Sequence, residues 1–126
     1  MAEALYNRLC RRDGVPDGAF SCGIAAPEGA PASEYARQAA AELGGDLSLH
    51  RARQADRALL SGAEKIYTMT GRHAAALRQA FPELADRVEP ILPPVPDPYG
   101  GSAEDYRRTA AALDVFVRRI YREAKV

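Results

Sequence analysis

The stretch from residue 95 to residue 102 reads Val-Pro-Asp-Pro-Tyr-Gly-Gly-Ser, and it places one carboxylate and one aromatic ring in a stiff turn. The prolines fix the backbone on both sides of Asp97, and the glycines after Tyr99 let the chain turn sharply. A carboxyl group held in this way can exchange a proton with a ligand, and a neighbouring ring can stack on one. The same composition is typical of a plain surface turn before a helix, so the loop alone leaves both interpretations open.

The cysteines and histidines do not form a recognisable ligand pattern. Cys10 and Cys22 lack metal-type spacing with His50 or His73, so we predict no metal site and no cofactor. We expect both thiols to be reduced and to be buried as small apolar residues. No glycine-rich loop of the Walker or dinucleotide type occurs, which argues against a generic nucleotide binder.

The composition limits the partners and the location. Lys and Arg total 17 and Asp and Glu total 17, which does not favour a nucleic acid or an anionic membrane as a partner. The sequence has no apolar run of about 18 residues that would span a membrane, and its first residues do not resemble a secretory signal. We therefore expect a single cytoplasmic domain over residues 1–126.

Hydrophobic periodicity and capping residues predict the elements that position the loop, and Ser102 with Asp105 predicts a capping-box-like start for the last helix. Helices are predicted over residues 1–13, 33–43, 55–61, 71–81 with a further turn to 85, and 102–124; strands are predicted over residues 19–24, 65–70 and 88–92. This alternation predicts an α/β fold with a parallel sheet. Ligands of such sheets bind at the carboxyl ends of the strands, and the Asp97 loop follows the last predicted strand.

Five short segments resemble, in family order, landmarks of the low-molecular-weight protein-tyrosine/arginine phosphatases. They are Met1-Ala2-Glu3-Ala4-Leu5, Ser21-Cys22-Gly23, His50-Arg51-Ala52-Arg53-Gln54, Tyr67-Thr68-Met69-Thr70 with His73, and Asp97-Pro98-Tyr99-Gly100. The resemblance covers the whole sequence. It implies a three-layer α/β sandwich and an enzyme that hydrolyses a phosphorylated protein or peptide through a phosphocysteine intermediate.

The resemblance also implies roles for individual residues. Asp97 would be the general acid and base, and Tyr99 would wall the substrate cleft. His50 would support the phosphate loop by a hydrogen bond. The start of the first helix, at Met1, Ala2 and Glu3, would lie beside the phosphate, where a helix N-terminus favours an anion.

One departure from the family concerns the nucleophile. In the family, a central strand and a Cys-x5-Arg-Ser phosphate loop precede Met-Ala-Glu. Here the sixth residue after Cys10 is Pro16 and the sixth after Cys22 is Glu28, so the 126 residues contain no such loop. We therefore expect an N-terminally truncated domain that lacks the central first strand, keeps about three strands, is only marginally stable and is inactive as written.

The absent loop changes two further expectations. His50 would lose its partner and become an exposed loop histidine, and Arg51 and Arg53 would form a solvated basic loop.

Two functional hypotheses follow. The first is a phosphatase family member that hydrolyses phosphotyrosine or phosphoarginine in proteins when complete. The single aromatic Tyr99 before Gly100 resembles the bacterial branch that includes protein-arginine phosphatases, and the lack of cysteines after Cys22 argues against arsenate reduction. The alternative is a non-catalytic module that binds phosphorylated proteins or self-associates, for example as a homodimer through exposed strand edges.

Overall fold

A computed structural model describes residues 1–23 and 28–124 of the chain. The helices and strands are α1 (Ala2–Arg12), α2 (Glu34–Glu42), α3 (Arg57–Ser61), β1 (Ile66–Thr68), α4 (Gly71–Ala80), a 3-10 helix (Pro82–Arg87), β2 (Val88–Pro90) and α5 (Ala103–Ala124). All five predicted helices are present, with ends within about two residues of the expected ones.

Short polar side chains set the starts of three helices. Ser33, Asp56 and Thr70 precede α2, α3 and α4, and each accepts a hydrogen bond from the backbone N–H three residues later. This contact satisfies one of the donors that a helix start leaves unpaired. Helix α1 differs, because Met1 precedes it and no side chain caps it.

The strands form a two-stranded parallel sheet in the described part of the chain. Ile66 lies opposite Val88, and Thr68 lies opposite Pro90. The parallel arrangement confirms the prediction from the alternating elements. Because parallel strands share one carboxyl edge, the chain leaves β2 towards the Asp97 loop at the edge where such folds bind ligands.

Helices cover both faces of this sheet, as a three-layer sandwich requires. On one face α1 and α5 enclose the first core cluster, which comprises Leu5, Leu9, Cys10, Ile91, Val95, Leu113, Phe116, Val117 and Tyr121. The ring of Tyr67 packs edge-on against Phe116, with the ring centroids 5.2 Å apart. On the other face the second cluster comprises Leu60, Ile66, Ala74, Leu77, Leu84 and Val88.

The prediction of a strand over residues 19–24 is wrong for the part of that range the structure describes. Only Gly23 forms a bridge, to Gln54 in the following loop, and it does not pair with β1. The reason lies in helix α1. The side-chain amide of Asn7 donates to the carbonyl of Ala19 at 2.9 Å and accepts from its N–H at 2.9 Å, so these backbone groups are not free for a strand. The expected total of about three strands is therefore reduced to two within residues 1–23 and 28–124.

Candidate active site at the Asp97 loop and the start of helix α1

The Asp97 loop is anchored by a buried side chain just before it. Val95 is 5% exposed and belongs to the first core cluster together with Ile91 at the end of β2. Burial of a valine side chain contributes about 1.5–3 kcal/mol, which fixes the start of the loop against the core. Two residues later, Asp97 lies at the surface.

Two hydrogen bonds and a glycine give the loop a defined turn. A carboxylate oxygen of Asp97 accepts the N–H of Tyr99 at 3.0 Å. The carbonyl of Pro98 then accepts the N–H of Gly101 at 2.8 Å. Gly100 adopts φ +78°, a conformation that other residues rarely take. The side chain of Tyr99 is 88% exposed, so the turn presents both the acid and the ring to solvent.

The turn is joined directly to helix α5. Ser102 donates its backbone N–H to the carboxylate of Asp105 at 2.9 Å, and the Ser102 hydroxyl accepts the N–H of Asp105 at 3.2 Å. This is the reciprocal capping pair that the sequence predicts. The hydrogen bonds from Ser102 hold the pKa of the Asp105 carboxyl below its usual value. The position between the turn and the cap requires a residue without a side chain, because a β-carbon on Gly101 would lie 2.8 Å from the Pro98 carbonyl.

The start of α1 carries backbone donors without a side-chain cap. The first intrahelical hydrogen bond runs from the N–H of Leu5 to the carbonyl of Met1, at 3.0 Å. The N–H groups before Leu5 therefore have no partner within the helix, as at any helix start. Met1 packs against the first core cluster, which places the helix start on the core that also holds Val95.

Glu3 connects this helix start to two other segments. One carboxylate oxygen accepts a hydrogen bond from the hydroxyl of Ser21 at 3.2 Å, and the other lies 3.2 Å from Nδ1 of His50. The guanidinium of Arg53 lies 3.9 Å from the same carboxylate. The Glu3 side chain is 18% exposed, so these contacts form in a partly desolvated place where electrostatic interactions are stronger than in water.

These contacts correct the prediction for His50. His50 is not an exposed loop histidine, because its side chain is 21% exposed and contacts Glu3. Arg53 is exposed, as expected for the basic loop, and besides Glu3 it lies over the ring of Phe20, 5.5 Å from its centroid. Arg51 is exposed and donates to the carbonyl of His50 at 2.8 Å. The helix start supplies a carboxylate for the loop histidine.

The two cysteines differ from each other. Cys10 is buried in the first core cluster, as predicted, whereas Cys22 is exposed, so the prediction that it is buried is wrong. Both are free thiols, as expected. Partial desolvation raises the pKa of the Cys22 thiol, while the positive charge of Arg53 opposes this effect. A raised thiol pKa disfavours the thiolate that a nucleophile requires.

The predicted site residues form two groups. Asp97 and Tyr99 are joined in one turn, and Glu3 and His50 are joined in one cluster. In the described part of the chain no hydrogen bond or ion pair links the two groups; their neighbours Val95 and Met1 both contact the first core cluster. Sequence reasoning missed Ser21 and Arg53 as partners of Glu3, since no local pattern marks contacts over such separations.

Two features are absent from residues 1–23 and 28–124. No helix there is long and apolar enough to cross a membrane. No group of three or more His, Cys, Asp or Glu side chains in that part of the chain is arranged to hold a metal ion.

Comparison with known proteins matches this chain to one protein family. The family model described as low molecular weight phosphotyrosine protein phosphatase matches residues 1–125. The protein-arginine-phosphatase of Bacillus subtilis (strain 168) is 26% identical over 132 residues, with 99% of this chain and 87% of the relative covered.

Solved structures show the same fold. A low molecular weight protein tyrosine phosphatase from T. tengcongensis is 32% identical with a TM-score of 0.89, and 97% of this chain and 88% of that chain are covered. A mutant of YwlE from Bacillus subtilis is 26% identical with a TM-score of 0.90, and 99% of this chain and 88% of that chain are covered. The chain belongs to the low molecular weight phosphotyrosine protein phosphatase family.

Proposed function

We propose that this chain serves the hydrolysis of phosphoarginine or phosphotyrosine in cytoplasmic proteins, with phosphoarginine as the preferred substrate. The observation that carries this proposal is the Asp97 turn, which follows β2 and presents an acid and a ring together. Two relatives, from Bacillus subtilis and Geobacillus stearothermophilus, are named protein-arginine-phosphatases, and this supports phosphoarginine.

In this proposal Asp97 acts as the general acid. Its carboxyl group protonates the nitrogen or oxygen that leaves phosphorus, and its carboxylate then takes a proton from the attacking water. Exposure of Asp97 lets it reach a group held by a large protein substrate. The exposed ring of Tyr99 stacks on the planar guanidinium or phenyl group next to the phosphate.

The start of α1 holds the phosphate end of the site. Its uncapped N–H groups and the positive end of the helix dipole favour an anion. His50 and Ser21 hold Glu3, and so they fix how this helix start lies against the neighbouring loops. We further propose that the 126 residues are inactive without a Cys-x5-Arg loop, since neither Cys10 nor Cys22 has an arginine six residues later.

The test compares three proteins on an aryl phosphate and on phosphoarginine and phosphotyrosine peptides. The first is the 126-residue chain. The second is a fusion in which the segment of the Bacillus subtilis relative that has no counterpart in the 126 residues is placed before Met1. The third is that fusion with Asp97→Asn. Activity in the second protein only, with preference for phosphoarginine, supports the proposal. A folded fusion without activity would support the alternative of a non-catalytic module that binds phosphorylated proteins.

A further inference from the structure

The turn that carries Asp97 and Tyr99 is held by the rest of the protein at its two ends. At the first end, Val95 lies in the first core cluster. At the second end, Ser102 is joined to helix α5 by the reciprocal hydrogen bonds with Asp105. The residues between these ends are exposed or half-buried, so the core does not hold them directly. Their position therefore depends on how firmly the second end is tied to α5.

The carboxylate of Asp105 contacts the turn as well as the helix cap. The oxygen that accepts the N–H of Ser102 at 2.9 Å would lie 2.7 Å from a β-carbon on Gly101. That oxygen therefore lies directly against Gly101, whose own N–H closes the turn by donating to the carbonyl of Pro98 at 2.8 Å. If this carboxylate moves, the closing hydrogen bond of the turn loses the group that packs against it.

Helix α5 gives this carboxylate a firm support. Tyr106, the residue after Asp105, is buried in a cluster with Ala39 of α2 and Ala110. Its ring centroid lies 5.8 Å from that of Tyr35, which is also in α2. Buried aromatic side chains contribute large contact areas. The start of α5 is therefore fixed against α2, and Asp105 transmits this fixed position to the turn.

We propose that Asp105 is a positioning residue for acid catalysis, because its carboxylate holds the turn where the carboxyl of Asp97 reaches the leaving group. The inference rests on the proposed role of Asp97 as the general acid. The hydrogen bond from the N–H of Tyr99 to Asp97 lies within the turn, so it shapes the turn without fixing it against the rest of the protein. A misplacement of a reacting group by about 1 Å can cost roughly 100-fold in rate.

Glu104 provides a matched control, because it lies in the same first turn of α5 and carries the same charge. Its carboxylate lies 3.6 Å from the guanidinium of Arg107 and 4.0 Å from that of Arg108. No hydrogen bond joins it to residues 95–102 in the part of the chain that the structure describes. Glu104→Ala therefore removes a negative charge near the helix start, where the dipole favours one, but leaves the cap made by Asp105 in place.

The test measures how the reaction of the fusion depends on the leaving group. The P–O bond of an aryl phosphate breaks as the phosphoryl group passes to the thiolate of the added loop, and the proton of Asp97 passes to the phenolate oxygen. p-Nitrophenolate needs this proton less than phenolate does. The ratio of kcat/KM for p-nitrophenyl phosphate to kcat/KM for phenyl phosphate therefore rises when Asp97 no longer reaches the leaving oxygen. Loss of folded protein does not change this ratio, because both substrates are measured on the same sample.

Four variants of the fusion separate a positioning role from a structural one. We expect Asp97→Asn to raise the ratio most and Asp105→Ala to raise it about tenfold. Asp105→Glu should restore most of the difference, since glutamate is the usual acid at this position of a capping box. Glu104→Ala should leave the ratio unchanged. A cap that only stabilised the fold would lower kcat/KM equally for both substrates.

The outcomes distinguish this proposal from that for Asp97. An unchanged ratio in Asp105→Ala beside a raised ratio in Asp97→Asn would overturn the role of Asp105 and leave Asp97 as the general acid. An unchanged ratio in Asp97→Asn would show that Asp97 is not the acid, and the role of Asp105 in acid catalysis would fail with it.

A second measurement needs no activity and uses the 126-residue chain. The amide of Gly101, which is bonded to Pro98, should exchange its hydrogen at least roughly fivefold faster in Asp105→Ala than in Glu104→Ala. If the fusion is inactive, this comparison shows whether Asp105 holds the turn, and equal exchange rates in the two variants would overturn the proposal.

Discussion

Glu3 and His50 are 47 residues apart in the sequence, and their side chains meet with Oε2 and Nδ1 3.2 Å apart. The contact joins the first turn of α1 to the loop that resembles the histidine loop of the family. Because Ser21 also donates to Glu3, one carboxylate fixes three segments at the proposed phosphate end of the site.

Replacing that carboxylate should loosen all three segments. We expect Glu3→Gln to lower the free energy of unfolding by about 1–2 kcal/mol, because charge-assisted hydrogen bonds in a partly buried site are lost. Urea denaturation measures the change. Glu34→Gln is the control, since Glu34 is also in the first turn of its helix but is exposed. Equal effects of the two variants would show that only the helix dipole is involved and that the cluster adds nothing.

Gly101 should not tolerate a β-carbon. In Gly101→Ala the new carbon would lie 2.8 Å from the Pro98 carbonyl and 2.7 Å from a carboxylate oxygen of Asp105, so the turn or the helix cap must shift. We expect a loss of about 1–3 kcal/mol of stability by urea denaturation, together with displacement of Asp97. Gly71→Ala is the control, because a β-carbon there meets nothing within 4 Å. A Gly101→Ala protein as stable as Gly71→Ala would contradict this view of the turn.

The loop could be predicted from sequence because its determinants are local. Proline, glycine and the Ser102–Asp105 pair act within a few residues, and the structure reproduces the turn and the cap. The Glu3–His50 contact could not be predicted, since it depends on how distant segments pack. The strand expected at residues 19–24 failed for the same reason: Asn7, on another element, binds the backbone of Ala19.

The helix cap should make stability depend on pH in a defined direction. The pKa of Asp105 is held below its usual value, so its contribution is fully present above the unfolded pKa of about 3.9 and is lost as pH falls through the lower folded pKa. We expect Asp105→Ala to lower the urea midpoint at pH 7 and to approach the wild type below about pH 3. The urea midpoint of each protein is plotted against pH, and the difference between the two curves removes the contributions of the other acidic groups. A difference that stays constant from pH 7 to pH 2 would rule out a role for the ionised carboxyl.

Asp97 should matter for catalysis and not for folding. In the fusion that supplies a Cys-x5-Arg loop, we expect Asp97→Asn to lower kcat about 10²- to 10⁴-fold, because an amide cannot protonate the leaving group. The urea midpoint should change little, since Asp97 is exposed and its one hydrogen bond to the N–H of Tyr99 can also be made by an amide oxygen. Asp86→Asn, at an exposed position on the 3-10 helix, is the control and should keep full activity. If both aspartate variants keep the activity of the fusion, another group donates the proton, and the loop would only shape the cleft through Tyr99.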